Sequence, residues 1–186
     1  IKMRTKELVA NLILLVVAII WGGGFIAGKM ALTTLGPVAI LMYRFGLGTL
    51  LCGIVFWKRI IETPPSVIKK GIIIGLIQMF GLTVQLSGLQ YTTTANQSFL
   101  CTAYVAFVPF ISWIILRKRP ASKAFVAGIL ALSGIGLICL EGGLSIGIGD
   151  SLSIMFSVIF GVQIVVVGIL VNDDEDVFQL SFFQLA

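Results

Sequence analysis

The feature that most constrains this chain is a series of apolar runs, each close to the length at which an α-helix rising 1.5 Å per residue matches the hydrocarbon thickness of a bilayer. They fall at Leu8–Gly28, Pro37–Trp57, Gly71–Leu89, Asn96–Leu116, Phe125–Leu140 and Ser151–Val171, and a further run occupies Val177–Ala186. No water satisfies backbone amides at that depth, so each run must form a helix that closes its own hydrogen bonds. The expected fold class is therefore an all-α integral membrane protein, a polytopic helical bundle. With 58% hydrophobic and 11% charged residues, the same runs in a water-soluble domain would expose apolar patches far beyond what such domains tolerate.

A net charge of +5 invites a nucleic-acid partner until the basic residues are placed. Apart from Lys29 and Arg44, they form three groups, Lys2, Arg4 and Lys6, then Lys58, Arg59, Lys69 and Lys70, then Arg117, Lys118, Arg119 and Lys123. Each group sits at the end of an apolar run, which is a topology signal, and no nucleic-acid partner is expected. The connections Leu32–Gly36, Gln90–Ala95 and Glu141–Gly149 contain no Lys or Arg. The positive-inside bias thus predicts a cytoplasmic N-terminus in a cell membrane, with the even-numbered turns on the cytoplasmic side. Asn172–Asp176 belongs to that side too, although it carries four acids and no base. A signal peptide is a weaker reading of the first run, because the run exceeds a usual signal core and three glycines interrupt it.

Pro64 and Pro65 punctuate the second cytoplasmic loop, and Pro120 ends the fourth helix. Pro109 should free one carbonyl within that helix and kink it. Asp150 is expected to cap the sixth run. Cys52, Cys101 and Cys139 lie inside apolar runs in a chain with no histidine, so they read as packing residues, with neither a metal nor a cofactor expected.

Shifting the sequence by 139 residues lays Trp21-Gly22 on Phe160-Gly161, Val38 on Val177, Leu41 on Leu180 and Tyr43 on Phe182. Five spans separate the copies, so the second copy must enter the membrane from the opposite side. This predicts inverted five-helix repeats, the first over residues 1–149 and the second opening over 150–186, with a site at their interface. On that reading the second repeat continues for roughly a hundred residues more, three helices and the rest of a fourth.

Several local motifs add to this pattern. They are Trp21-Gly22 with Phe25 and Lys29, Pro37 and Arg44, Gly88-Leu89 with Tyr91-Thr92, Pro109, and Gly149-Asp150. In that order and spacing the chain resembles EamA-type members of the drug/metabolite transporter superfamily. The resemblance implies ten helices in two inverted halves and a permease or exporter of small metabolites such as amino acids. Family members often carry an acid after helix four, where this chain has Arg117-Lys118-Arg119-Pro120.

Candidate site residues are the polar groups that hydrocarbon cannot accept. Gln78 and Gln85 lie seven residues apart on one stripe of helix three, and Gln97 and Tyr104 repeat that spacing in helix four beside Asn96. These stripes must face protein or a wet cavity, and Gln163 in helix six could complete the lining. In helix one, Trp21, Gly24, Phe25 and Gly28 share a face, which puts Trp21 among the substrate-binding candidates. Lys29 and Arg44 lie toward the outer side, either as interfacial anchors or as a vestibule for anionic groups. No acid occupies the middle of a span, so this part of the chain offers no coupling-ion site.

The expected partners are a small-molecule substrate and the lipid bilayer, and the sequence specifies no oligomeric state. An anion, nucleotide-sugar or sugar-phosphate exchanger is the alternative within the superfamily, and a purely structural membrane protein the alternative outside it. An intramembrane aspartyl protease is suggested by Gly147-Ile148-Gly149-Asp150, but that chemistry needs a second membrane-embedded aspartate. Rhomboid-like and metal-dependent proteolysis both need a histidine, so no enzyme is expected.

Overall fold

The structure is a computed structural model that describes residues 5–117, 122–141, 147–172 and 175–186. It contains α1 (Thr5–Ala31), α2 (Pro37–Ile61), α3 (Pro65–Leu89), α4 (Thr94–Thr102), α5 (Tyr104–Leu116), α6 (Ser122–Glu141), α7 (Ile148–Leu170) and α8 (Val177–Leu185), with no strand among the described residues. Among the described residues, five stretches are long and apolar enough to cross a membrane: Leu8–Ala31, Pro37–Ile61, Pro65–Tyr91, Thr94–Leu116 and Ile148–Leu170. α6 stands where the fifth span was expected. The expectations for Lys2, Arg4, Lys118, Arg119, Pro120, Asp173 and Asp174 lie outside the described residues, as does that for the Cys139 side chain.

Local chemistry sets the helix ends. Pro37 and Pro65 occupy first-turn positions, where a missing N–H costs nothing, so α3 starts six residues before its apolar run and carries Lys69 and Lys70 in its opening turns. The Thr93 hydroxyl accepts from the Asn96 N–H at 3.1 Å to cap α4. Asp176 caps α8 by accepting from the Phe178 N–H at 2.8 Å. Asp150 is not the cap of α7. That helix begins at Ile148, which puts Asp150 in its first turn, where Oδ2 accepts from the Gly147 N–H at 3.2 Å and Oδ1 from the Thr92 hydroxyl at 2.7 Å.

The fourth span breaks at Ala103, six residues before the proline expected to kink it, while Pro109 lies inside α5. Another helix meets the chain at this break. Ser157 of α7 directs its hydroxyl at the Leu100 and Cys101 carbonyls, the acceptors that a continuous helix would give to the amides of residues 104 and 105.

α3 is the central helix, packed along its length by α7 and α8 and flanked by α2 and α4. Glycines let the backbones close: a Cβ at Gly75 would stand 2.6 Å from the Gln184 carbonyl oxygen of α8, and one at Gly88 3.1 Å from the Gly149 carbonyl oxygen of α7. α7 packs against α5 at Gly161, and α6 meets α5 at Gly128. Leucines, isoleucines and valines of α1 and α2 face outward, the pattern expected when lipid is the solvent.

Helix directions follow from these contacts. The C-terminal end of α1 and the start of α7 both meet the C-terminal end of α3, so α1 and α7 run oppositely. Leu41, near the start of α2, is buried with Leu86 and Leu89, whereas Leu180, near the start of α8, is buried with Val67 and Ile74 at the other end of α3. α2 and α8 therefore also run oppositely.

Candidate functional site

Between α1, α2, α3, α4, α5 and α7 lies a cavity of about 190 Å³. Its apolar wall is Trp21, Gly24 and Phe25 of α1, Leu82, Leu86 and Leu89 of α3, and Phe156 and Phe160 of α7. The polar lining is Gln78, Gln85, Cys101, Thr102, Tyr104 and Arg44. Phe160 is the hub of the aromatic wall, edge-on to Tyr104 at 4.9 Å, stacked on Phe156 at 5.4 Å and tilted against Trp21 at 6.4 Å.

Of the candidates named from the sequence, the structure brings Trp21, Gln78, Gln85, Tyr104 and Arg44 together around this space. Gln97 is fully buried and donates its amide to the Gln85 backbone carbonyl, so it joins α4 to α3. The helical break at Ala103 falls between Gln97 and Tyr104 and separates two residues that a continuous helix would have placed on one face. Asn96 sits in the capped first turn of α4.

Gln163 stands behind the wall, where its amide donates to the Gln78 side-chain oxygen at 2.9 Å. Gln184 of α8 donates to that same oxygen, so a single acceptor joins three helices and turns Gln78 toward the cavity. Among the described residues, the side-chain amide oxygens of Gln97 and Gln163 are buried without a hydrogen-bond partner. Gln85 faces the cavity and directs its amide at the Cys101 sulfur, 3.6 Å away.

Lys29 lies outside the cavity. Its ammonium donates to the carbonyls of Leu89 at 2.5 Å and Thr92 at 2.9 Å, and more distantly to that of Gln90 at 3.4 Å. It caps the negative end of α3, a helix with no basic residue in its own last turn.

The opposite end of α3 carries two ion pairs. Lys70 pairs with Glu175 at 2.5 Å, and Arg59 pairs with Asp176 at 3.5 Å while its guanidinium lies 5.3 Å from the centre of the Phe178 ring. Glu175 and Asp176 thus lie at the same end as Arg59 and Lys70. The Lys70 ammonium holds the Glu175 carboxyl below its ordinary range.

Sequence reasoning missed Cys101, Thr102, Phe156 and Gln184. Phe156 and Phe160 stand four residues apart, a same-face signal on a helix that was available but unused. Cys101 and Thr102 gave no such signal, since their exposure depends on where the fourth span breaks.

The EamA-like transporter family model matches residues 8–140. An uncharacterized transporter of Archaeoglobus fulgidus is 35% identical over 162 residues, which is 87% of this chain and 50% of that protein. A second uncharacterized transporter of the same organism is 30% identical over 137 residues, 71% of this chain and 46% of that protein. The chain therefore spans about half the length of the curated relatives it matches. No solved structure matches it.

Proposed function

The chain belongs to the EamA-like transporter family and is a multi-pass integral membrane protein, and from that premise we propose that it carries small amphipathic metabolites such as amino acids across a cell membrane. The mechanism is alternating access between two inverted repeats, the first over residues 1–149 and the second opening at residue 150, with the N-terminus cytoplasmic. Trp21, Gln78, Gln85 and Tyr104 would contact the cargo, and Arg44 would attract it.

The observation that carries this reading is the polar character of one cavity. Amides and aromatic rings surround a space beside the C-terminal half of α3, whereas the groove of about 730 Å³ between α2, the N-terminal half of α3 and α8 is lined mainly by apolar side chains, with two ion pairs at that end of α3. A carrier that holds its polar site beside one half of its central helix has this asymmetry. The opposite directions of α1 and α7, and of α2 and α8, agree with inverted units, and Trp21 touches its register equivalent Phe160, as residues near a two-fold axis must. Lys70–Glu175 and Arg59–Asp176 would then be the contacts that part when that end opens.

The test is flux. The full-length protein in liposomes should exchange a labelled amphipathic metabolite from a panel of amino acids and organic monocarboxylates, and Gln78→Leu should lower the rate. Absence of exchange with every member of the panel would favour a structural membrane protein instead.

A further inference from the structure

The charges around the cavity can be counted. Arg44 is the single charged residue of its lining, and it has no ion-pair partner among the described residues. Lys29, the other cation considered, is committed to the carbonyls at the end of α3. The Arg44 guanidinium is exposed at the cavity lining and open to an anionic guest, with a fork geometry suited to two-point binding of a carboxylate.

Among the described residues, no acidic side chain lines the cavity to balance an ammonium. The Gln78 side-chain oxygen already accepts from Gln163 and Gln184, which uses both of its lone pairs. The remaining acceptors, the Gln85 oxygen and the Thr102 and Tyr104 hydroxyls, are neutral, and Arg44 repels a second cation in a medium of low dielectric. The volume of about 190 Å³ is smaller than drug-sized pockets of about 300–1,000 Å³, and the aromatic wall suits a flat apolar body. The geometry points to an organic monocarboxylate with one apolar ring as the cargo, its carboxylate on Arg44, preferred over the α-amino acid of the same body. This inference deepens the transport reading and rests on it.

Three related probes separate the terms: phenylacetate, its zwitterionic α-amino derivative phenylglycine, and its uncharged amide phenylacetamide. Binding to the full-length protein in detergent is read by quenching of tryptophan fluorescence, with Trp21→Phe as the control that assigns the signal to the cavity. Phenylacetate should bind at least about tenfold more tightly than either of the others. Arg44→Gln should erase that preference by weakening phenylacetate while leaving phenylacetamide unchanged, and Arg44→Lys should keep part of it. Phenylglycine binding as tightly as phenylacetate would overturn the inference and leave the transport reading standing. Equal weakening of phenylacetate and phenylacetamide in Arg44→Gln would make Arg44 a structural residue and overturn it as well. Should Arg44→Gln fail to fold, the ordering of the three probes on the unaltered protein and on Arg44→Lys decides. Failure of the transport reading registers elsewhere, in the flux assay with the full panel.

Discussion

The two halves of α3 carry two glycines each and have different fates. In the N-terminal half, Gly71 and Gly75 admit the backbone of α8, Val67 and Ile74 are buried with Leu180, and two ion pairs lie at the rim. In the C-terminal half, Gln78, Leu82 and Gln85 look into open space, although Gly81 and Gly88 again draw a partner close on another face. Small residues alone therefore do not decide what is filled. The partner's side chains do: α8 presents backbone and Phe183 to the glycines of the first half, whereas α7 presents Phe156 to Gly81 of the second and, with Phe160, forms the wall of the cavity beside it.

The strongest way to break this contrast is to overfill the first half. Gly71→Leu combined with Gly75→Leu would push into Phe183 and the Gln184 backbone, and at about 1–3 kcal/mol per overpacked site should give the largest drop in the detergent unfolding midpoint. Gly24→Ala, on the wall of the open half, meets nothing within 4 Å and should leave the midpoint unchanged. Next comes the boundary between the halves. Gln78→Leu strands the amides of Gln163 and Gln184, and should cost about 1–3 kcal/mol, with Gln78→Glu rescuing the acceptor.

At the open end, Lys29→Met removes the donor from three carbonyls and should cost about 1.5 kcal/mol, with faster proteolysis at the α1–α2 turn as the local readout. The smallest effect is expected at the ion-paired rim. Glu175, whose carboxyl is held below its ordinary range by Lys70, contributes stability above that range and loses it as pH falls through the lowered value. Glu175→Gln should therefore lower the midpoint slightly at about pH 7, by a margin that shrinks as the pH falls below the ordinary carboxylate range. A midpoint gap that does not shrink in acid would show that the Lys70 pair is not its source.

Helices were legible in the sequence because their length is imposed by the solvent. α1, α2, α3 and α7 appear where apolar runs predict them, displaced by a turn or two where Pro65 or Gly147 sets the end. What escaped was anything settled by a residue far away in sequence. The break at Ala103 meets Ser157, more than fifty positions on, and Gln97 is taken from the cavity by the Gln85 carbonyl on another helix. The stripe of Gln78 and Gln85 was readable because both residues sit on one unbroken helix, while the role of Gln184 was not, since it depends on α8 crossing α3 at Gly75.

The Lys29 attachment has a mechanical consequence. α1 is fastened to α3 near its C-terminal end, while residues 8–24 present mostly exposed side chains, so the helix is a lever with its fulcrum at that ammonium. Trp21 lies eight residues from the pivot, about 12 Å along the axis at 1.5 Å per residue. A swing of about 10° displaces its indole by about 2 Å, enough to lift the ring off Phe160 while every hydrogen bond within α1 stays intact.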